Sequence, residues 1–576
     1  MRRSLIVPAA ILLFALFALQ LWLNATRNSV TIDEPGHILA GYRHLACGDF
    51  SINPHHPPLM KEVAALPLLF MNVRDPLGPC TSTAGADIGV TFELGHRFLL
   101  SNGVDRVLIP ARLATMVFSL LLAVLVFFAT RTMFGDVPAL IALAVVAFEP
   151  TLIAHGSLVT NDMALAAMLF ATVFALYLYR ERPTPMRLVM IGIAAGLTLA
   201  SKHSGIVVLP IVGLFMIRRI RDAAIALAIA AAVLFATYGF RFEPYFEGFR
   251  LVLQGSDRVM YLFDRAYPAG RWFYFPVVFA IKASVMLLVL VPFALKSRRA
   301  LLLVPPLLFL ALSMRAGLNI GVRHILAIWP FLIVAGAAGI WSLAQNRRSA
   351  QIILGALLAF HALSAAATAP SYLAFANELW GGTNASHRWF RDSNVEWGQN
   401  LKLTREWLAR DGVTQCWFAS YGHGAMSAAE QPCQLLPAFT WTAGRVVDTI
   451  PPVLDGTVLL SAAVLPPRGG AEYAPITSTP PIAIIGGSVL VYRGTFGVPL
   501  LASITHATRA LQLAHLGRID EAMQDARIAV QLAPNDFRAR RALDAATRAV
   551  KARDASVPCP APCAESTPPS RNAAAP

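Results

Sequence analysis

Residues 5–34, LIVPAAILLFALFALQLWLNATRNSVTIDE, decide the fold because a long apolar run stops abruptly at two adjacent carboxylates. The apolar part is long enough to cross a bilayer as a helix, which takes about 20 residues. Arg2 and Arg3 precede the run, and Asp33 and Glu34 follow it. The stretch predicts a membrane-spanning helix with an acidic outer end. Acids there are either ordinary interfacial charge or part of a site held at the membrane surface.

The whole chain has the composition of a multi-span membrane protein. Of its 576 residues, 56% are hydrophobic and 14% are charged, and the mean hydropathy is +0.57. Soluble domains are about half apolar and a quarter charged. We therefore predict a mainly α fold, a polytopic membrane helix bundle. About eleven apolar runs of spanning length begin near residues 5, 108, 137, 162, 187, 204, 222, 276, 300, 323 and 350.

Basic residues between the predicted spans indicate one orientation, because lysine and arginine are retained on the cytoplasmic side. The clusters are Arg131; Arg180, Arg182 and Arg187; Arg218, Arg219 and Arg221; Lys296, Arg298 and Arg299; and Arg347 and Arg348. The N-terminus is then cytoplasmic, and residues 25–107, 241–275 and everything after about 370 face outward. Much of the net charge of +15 lies in these short loops, so topology explains it better than a nucleic-acid partner does.

The N-terminal segment is expected to be a retained helix rather than a cleaved signal peptide, because it lacks a clear small-residue cleavage site and further spans follow. The alanine-rich and arginine-rich usage suits a bacterial inner membrane. The protein is thus expected to be a multi-pass inner-membrane protein with its C-terminal part in the periplasm.

All six cysteines fall in the predicted outer segments, where disulfides persist. Neighbouring positions suggest the pairs Cys47 with Cys80, Cys416 with Cys433, and Cys559 with Cys563. Six free thiols are the alternative, because connectivity cannot be deduced from sequence.

The chain divides into four predicted regions. Residues 1–369 form the transmembrane domain, which includes the outer loop 25–107 and carries every candidate site residue. Residues 370–500 form a periplasmic α/β domain, residues 501–550 a tetratricopeptide-like helical repeat, and residues 551–576 a disordered tail rich in proline, alanine and serine.

The α/β domain is predicted from a helix-like stretch at residues 399–410 and from three strand-like runs, QCWFASYG, GTVLLSAAVLP and IAIIGGSVLVYRG. The last run is apolar enough to suggest a twelfth span. It is short, however, and a glycine pair interrupts it, so strands are expected.

The repeat is predicted from LGRIDEAMQDARIAVQLAPND, in which small residues and turn residues have the spacing of the second half of a tetratricopeptide repeat. These residues are Gly517, Ala522, Ala529 and Pro534, and Ala510 and Leu513 fit the first helix. Such repeats usually bind proteins or peptides. We therefore expect a possible protein partner for residues 501–550.

Three acids lie at predicted outer ends of spans, where a charge is costly and is kept for a reason. Asp33 is able to accept a proton from an acceptor hydroxyl or amine, and Glu34 is able to hold the acceptor or orient the base. An interfacial cap is the alternative for this pair. Asp162 is expected to cap the helix that begins at Met163, and capping does not exclude it from the same site as Asp33.

Four cationic or imidazole side chains lie at the same predicted level, in LASKHSGIVVLP and LNIGVRHILAIWPFL. They are Lys202, His203, Arg323 and His324. Lysine and arginine at the outer surface suit an anion, and phosphate is the obvious one in a membrane. Snorkelling to lipid headgroups is the alternative.

A histidine pair occurs in NPHHPPLMKEVAALPLL. The two prolines direct an extended approach to a helix that begins near Leu59. This helix is too short to span and is expected to lie in the interface, with Lys61 and Glu62 toward water. His55 and His56 are candidates for binding metal or phosphate.

The order of these stretches resembles one family of membrane enzymes. The acidic pair after the first helix, HPPL, PTLIAHGSLVTND, SKHSG and GVRH follow one another as in the polytopic type C glycosyltransferases, in the branch of protein O-mannosyltransferases and aminoarabinose lipid A transferases. DSNVEWGQNL, residues 392–401, resembles a stretch found after the membrane core in some bacterial members. The matches cover most of residues 1–410, and their joint order is more specific than any one of them.

The resemblance implies transfer of a sugar from a polyprenyl phosphate carrier to a protein or lipid acceptor on the outer face. Asp33 matches the family's catalytic general base and Glu34 its neighbour, while Asp162 matches a second acidic position. The residues assigned to the carrier phosphate are Lys202, Arg323, His324 and His56.

The implied mechanism is a direct displacement with inversion at the anomeric carbon. Phosphate is a good leaving group, and electrostatic stabilisation replaces a general acid, so the scheme requires neither a cofactor nor a divalent metal. Adjacent residues such as Asp33 and Glu34 cannot flank a glycosidic bond as the two acids of a glycosidase do.

Two other classes of protein stay open at this stage. A transporter also keeps charges within the membrane, but no inverted repeat is apparent and the long outer loop after the first helix is atypical. An assembly scaffold that uses the outer repeat leaves the acids and cations unexplained.

Overall fold

The computed structural model describes residues 5–82, 85, 87–255, 259–297, 299–422, 431–438, 446–467 and 470–556. It confirms a mainly α fold with several apolar helices of membrane-spanning length. The α-helices are Ile6–Arg27, Glu34–Cys47, Leu59–Ala65, Ile88–Asn102, Val104–Phe134, Asp136–Phe148, Pro150–Gly156, Asn161–Glu181, Pro185–Ser201, Val208–Phe215, Ile220–Ala236, Glu243–Gln254, Tyr274–Lys282, Val285–Leu295, Ala300–Arg315, Trp329–Ala344, Arg348–Thr368, Ser386–Trp389, Leu401–Arg410, Ala474–Thr477, Pro499–His515, Ile519–Leu532 and Phe537–Ser556.

Short 3₁₀ helices and seven strands complete the secondary structure of the described residues. The 3₁₀ helices are Leu66–Phe70, His203–Val207, Val322–Ile328, Tyr372–Ala374, Glu378–Trp380, Thr383–Ala385, Ala462–Val464 and Ala471–Tyr473. The strands are Met260–Leu262, Arg265–Tyr267, Cys416–Ala419, Cys433–Leu435, Val453–Ser461, Ala483–Ile485 and Val489–Gly497.

Helices occur where the apolar runs predicted them, and some of these helices have spanning length and composition. Each predicted start falls within about four residues of the start of a helix. Five helices are long and apolar enough to cross a membrane, and the bent pair Asp136–Phe148 and Pro150–Gly156, with an angle of 61°, makes up to six. The five are Ile6–Arg27, Val104–Phe134, Asn161–Glu181, Val322–Ala344 and Arg348–Thr368. The total of eleven spans stays a prediction.

Two short helices follow the first span and pack closely on each other. Glu34–Cys47 ends at Gly48, whose φ of 62° lets its N–H reach the carbonyls of the last turn. A Cβ on Gly41 would lie 1.8 Å from the carbonyl oxygen of Lys61, so only glycine permits this approach. The second helix, Leu59–Ala65, begins at the predicted residue.

The expected exposure of Lys61 is wrong. Its side chain is buried and donates to the carbonyl of Asn53 at 3.0 Å, because the close packing covers this face of its helix. Burial lowers the pKa of Lys61 to about 7, against the opposing attraction of Glu62. The Glu62 side chain is partly exposed, at 19%.

The described chain forms two compact units. The first comprises residues 1–443, 457–471 and 479–493, and the second residues 444–456, 472–478 and 494–576. The predicted domain boundaries at residues 369 and 500 stay predictions.

A five-stranded sheet contains the predicted strand-like runs. Its strand order is Cys433–Leu435, Cys416–Ala419, Val453–Ser461, Val489–Gly497 and Ala483–Ile485. The first two pairs are parallel, and the last pair is antiparallel. The run that resembled a twelfth span is this antiparallel hairpin. Gly486 and Gly487 turn the chain at φ values of 57° and 73°, which glycine adopts without strain.

Three helices of the second unit form a small alanine-rich core. They are Pro499–His515, Ile519–Leu532 and Phe537–Ser556. Ala510, Leu513, Ala522 and Ala529, which fitted the repeat pattern, are buried in this core. Gly517, with φ of 77°, turns the chain between the first two helices. The identity of this hairpin as a tetratricopeptide repeat stays a prediction.

Two of the suggested disulfides are confirmed. Cys47 pairs with Cys80, and Cys416 pairs with Cys433 across two parallel strands at a Cα separation of 4.3 Å. The suggested Cys559–Cys563 pair and the predicted tail beyond Ser556 lie outside the described residues.

Candidate functional site

Asp33 lies at the start of the helix Glu34–Cys47, immediately after the first span. The side chain is 20% exposed, and its Oδ2 is 3.2 Å from a guanidinium nitrogen of Arg323. Its backbone carbonyl accepts from the N–H of His37, which begins the helical hydrogen bonding. The carboxylate is therefore fixed at the end of a helix and still reachable from outside.

Asp162 is buried one residue into the helix Asn161–Glu181. Its Oδ1 accepts a hydrogen bond of 2.6 Å from the Lys202 ammonium. The predicted capping role is wrong, because Thr160 occupies the N-cap position and no side chain caps the helix. A charged ammonium is a stronger partner for a carboxylate than a backbone N–H is, which explains the difference.

Arg323 joins the two acids. One guanidinium nitrogen is 3.2 Å from Asp33 and 3.7 Å from Asp162. The guanidinium carbon lies 4.1 Å from the ring centroid of Trp397, so one face of the group is covered. The buried Nε of Arg323 has no hydrogen-bond partner among the described residues.

His324 contacts Lys202, and His155 lies at the same site through its ring, whose centroid is 6.4 Å from that of Trp397. His324 Nδ1 is 3.3 Å from the Lys202 ammonium and accepts from it, which places the ring proton on Nε2. Within the described part of the chain, that buried Nε2 and the buried Nδ1 of His155 are unpartnered. Buried polar atoms normally have partners, so these atoms indicate a ligand rich in acceptor oxygens.

Glu34 is paired with a different arginine from Asp33. Its side chain is fully buried, and both oxygens accept from Arg112, at 2.8 and 2.7 Å. They also accept from the backbone N–H groups of Thr31 and Val159, at 2.7 and 2.9 Å. Thus Glu34 ties together the chain segments that lead to Asp33 and Asp162.

His37 and His56 are neighbouring histidines that stay uncharged. Their rings meet edge to face at 5.0 Å, and His37 Nδ1 is 3.0 Å from the amide nitrogen of Asn53. Burial, followed by the cations Lys61 and Arg323, lowers the pKa of His37 to about 3. Burial, followed by the neighbouring His37, holds the pKa of His56 well below its ordinary value.

The structure brings most of the predicted site residues together. Asp33, Asp162, Lys202, Arg323 and His324 form one continuous set of contacts. His56 contacts the ring of His37, and Glu34 faces its own arginine. The histidines at positions 55 and 203 are not among these contacts.

Sequence reasoning missed three participants, Arg112, His155 and Trp397. Arg112 is a lone arginine inside a long apolar helix, and such a charge predicts a buried acidic partner. His155 and Trp397 lie in quoted stretches, PTLIAHGSLVTND and DSNVEWGQNL, but no spacing rule connects either of them to Arg323.

Comparison with known families supports the resemblance noted in the sequence. Residues 104–240 match the family model described as dolichyl-phosphate-mannose-protein mannosyltransferase. The resemblance to this glycosyltransferase family is confirmed. The matched range contains Asp162 and Lys202 but not Asp33 or Arg323.

Solved structures with similarity to the chain include ArnT from Cupriavidus metallidurans in the apo state, at 14% identity and a TM-score of 0.46, covering 84% of this chain and 97% of ArnT. ArnT bound to undecaprenyl phosphate matches at 13% identity and a TM-score of 0.41, with the same coverage. The Saccharomyces cerevisiae protein O-mannosyltransferase Pmt1–Pmt2 complex bound to the sugar donor matches at 20% identity and a TM-score of 0.27, covering 44% of this chain and 34% of that one. No curated protein matches the chain.

A metal site would need a cluster of acids, histidines or cysteines. In the part of the chain that the structure describes, no group of three or more such residues could hold a metal ion. The expectation that no metal or cofactor is required stays a prediction.

Proposed function

We propose that this protein is a membrane glycosyltransferase that moves a sugar from a polyprenyl phosphate-linked donor to a protein or lipid acceptor. The main support is that nitrogens of Arg323 and His324, beside two carboxylates, have no hydrogen-bond partner among the described residues. Phosphate oxygens would supply the hydrogen-bond acceptors that these N–H groups need. The description of the matched family names dolichyl phosphate mannose, and this molecule is a polyprenyl phosphate-linked sugar.

In the proposed reaction, Asp33 acts as general base. Its carboxylate takes the proton from the acceptor hydroxyl as the acceptor oxygen attacks the anomeric carbon. The bond between that carbon and the phosphate oxygen breaks, and both of its electrons leave with the polyprenyl phosphate. Attack opposite the leaving group inverts the configuration.

The leaving phosphate is stabilised by cations that already lie in the site. Lys202 and Arg323 are paired with Asp162 and Asp33, and they hold their charges ready without reorganisation. His324 supplies a further donor, Nε2–H, which is aimed at no protein acceptor among the described residues. Asp162 keeps Lys202 in place and prevents an excess of positive charge before the donor binds.

The proposed location is the periplasmic face of a bacterial inner membrane. The two disulfides support it, because they occur in segments predicted to face outward and disulfides persist in oxidising compartments. A cysteine introduced at exposed Glu406 tests the orientation. Labelling by a membrane-impermeant maleimide in intact spheroplasts is expected, and labelling only after lysis contradicts this location.

The reaction is tested by sugar release from radiolabelled polyprenyl phosphate sugars, offered one by one to purified protein in bilayer discs. Transfer or slow hydrolysis of one donor is expected, and addition of peptide or lipid acceptors separates the two acceptor classes. The anomeric configuration of the product tests inversion. No turnover of any donor by folded protein would contradict the proposal and favour a transporter or scaffold.

Asp33→Asn is the variant to compare in this assay, and Asp136→Asn is its matched control. Asp136 is also paired with an arginine, Arg131 at 2.7 Å, and this pair is separate from the contacts of Asp33 with Arg323. Turnover abolished by the first exchange and kept by the second is the expected pattern.

A further inference from the structure

The segment Asp392–Leu401, DSNVEWGQNL, is polar in composition yet buried. Its buried polar residues are Asp392, Ser393, Asn394, Glu396, Gln399 and Asn400. It belongs to the same compact unit as Asp33 and Arg323. Burial of so many polar groups is costly unless each has a partner, so the partners indicate what the segment does.

One part of the segment holds the chain beside Asp33. The carbonyl of Trp397 accepts from the N–H of Ile32 at 2.9 Å, and Ile32 directly precedes Asp33. The carbonyl of Gln399 accepts from the N–H of Ser29 at 2.8 Å. These two bonds fix the backbone that enters the helix bearing Asp33.

Another part of the segment holds the chain beside Arg323. The side-chain oxygen of Asn394 accepts from the N–H of Val322 at 2.7 Å, and Val322 directly precedes Arg323. The Ser393 hydroxyl donates to the carbonyl of Ile320 at 2.5 Å. A Cβ on Gly321 would lie 2.5 Å from that hydroxyl, so glycine is needed for the approach.

Between these two parts, the Trp397 ring covers the Arg323 guanidinium. Trp397 is 2% exposed, and its ring centroid is 4.1 Å from the guanidinium carbon. The backbone N–H of Trp397 donates to the side-chain oxygen of Gln399 at 2.7 Å, which fixes the backbone from which the ring projects. The buried ring is beyond reach of a substrate, but it restricts where the guanidinium points.

We propose that Trp397 is a positioning residue for sugar transfer, and that it holds Arg323 at the place where the guanidinium meets both Asp33 and the carrier phosphate. The inference rests on the proposed function and goes beyond it, because it assigns a role to a segment outside the predicted spans. A guanidinium held on one face by a ring loses little freedom when phosphate binds on the other.

The test is a double-mutant cycle on turnover of the donor that the wild type uses. Trp397→Leu is expected to lower turnover roughly 30-fold, as for loss of a desolvated cation–π contact, and Trp397→Phe is expected to restore most of it. In an Arg323→Gln background, Trp397→Leu is expected to change the residual turnover by less than about twofold. Equal losses in both backgrounds would show that the ring serves folding alone and would overturn the proposal.

Trp389→Leu is the matched control. Trp389 packs against Trp380 and donates its indole N–H to that residue's carbonyl at 2.9 Å. If loss of any packed tryptophan lowers turnover, this variant shows it, and a loss as large as that of Trp397→Leu would contradict a specific role.

Fluorinated tryptophans placed at position 397 by codon suppression keep the test valid if Trp397→Leu does not fold. They are nearly isosteric, and each added fluorine weakens the attraction of the ring face for a cation. Turnover is expected to fall stepwise with fluorine number when Arg323 is present and to stay flat in Arg323→Gln. A flat series in both backgrounds would overturn the proposal.

Thermal denaturation of the wild type, Trp397→Leu, Arg323→Gln and the double variant separates this proposal from the proposed function. If the melting temperatures show coupling between positions 397 and 323 but no donor is turned over, the contact is confirmed and the proposed reaction is contradicted. Turnover without coupling in either measurement would leave the reaction and remove the positioning role.

Discussion

Asp33 and Glu34 are adjacent carboxylates, and each is paired with an arginine from a distant part of the chain, but the two pairs differ in every other respect. Glu34 and Arg112 are both fully buried, and each Glu34 oxygen accepts two hydrogen bonds. Asp33 meets Arg323 through one nitrogen at 3.2 Å and is 20% exposed.

The difference separates scaffolding from chemistry. A carboxylate with both oxygens occupied has no room for an acceptor hydroxyl, and breaking such a buried pair costs about 3–5 kcal/mol. A partly exposed carboxylate such as that of Asp33, at 20%, can be reached by an acceptor hydroxyl. Glu34 therefore fixes the backbone beside Asp33, the proposed general base, through its pair with Arg112.

Asp33→Asn is expected to produce the largest change in activity. Turnover should fall by about 100- to 10,000-fold, the usual contribution of a general base, because the amide cannot take the acceptor proton. The melting temperature should move little, since Arg323 keeps Asp162 as a partner. Donor turnover and thermal denaturation in bilayer discs check both halves, and near-normal turnover would remove Asp33 as the base.

Glu34→Gln is expected to produce the largest change in stability. The amide places N–H groups opposite the donors of Arg112, and the free energy of unfolding should fall by about 3–5 kcal/mol. Glu93→Gln is the matched control, because Glu93 is paired with Arg97 on an exposed helix face, where such pairs contribute about 0–1 kcal/mol. Equal melting temperatures for the two variants would contradict the scaffold role of Glu34.

Lys202→Ala tests a pair that lies between these extremes, with side chains 13% and 2% exposed. Binding of polyprenyl phosphate should weaken roughly 10- to 100-fold, the value of a charge-assisted hydrogen bond, and acceptor binding should weaken less. Lys402→Ala, which removes a lysine paired with Asp105 outside the site, is the control. Equal losses for phosphate and acceptor would argue against a phosphate role.

His37→Gln is expected to have the smallest effect, visible only on acidification. The pKa of His37 is about 3 in the folded protein. Between pH 6.5 and 3, His37 is therefore protonated in the unfolded chain but not in the folded chain. Acid therefore favours unfolding, by about 2 kcal/mol at pH 5 from this group. The variant should lose that much less stability between pH 7 and pH 5 than the wild type, in denaturant titrations with His515→Gln as control. An unchanged pH dependence would contradict a neutral, buried His37.

The sequence predicted what depends on local pattern. Apolar runs located the helices, the glycine pair at 486 and 487 favoured strands over a span, and neighbouring positions suggested the pair of Cys47 with Cys80. The order of short motifs also selected Asp33, Asp162, Lys202 and Arg323, which the fold brings into contact.

The sequence could not predict partners that arise from packing between distant segments. Lys61 appeared to be a surface lysine because no residue near it in sequence indicates that the helix containing Gly41 packs closely against it. Asp162 appeared to be a cap because its true partner, Lys202, comes 40 residues later. Glu34 appeared to share the task of Asp33 because Arg112 is hidden within an apolar helix.

The bonds between residues 392–402 and the start of the chain have a consequence for synthesis. The N–H of Lys402 donates to the Ser29 hydroxyl at 2.7 Å across 373 residues of chain. A ribosome has thus produced every candidate membrane span before the cover of Arg323 exists. A product truncated after Thr368 carries both acids and both cations but lacks Asn394 and Trp397. Such an incomplete chain is expected to insert into the membrane but to lack the positioned Arg323. Premature release from the ribosome should therefore give an inactive protein that does not hydrolyse the sugar donor.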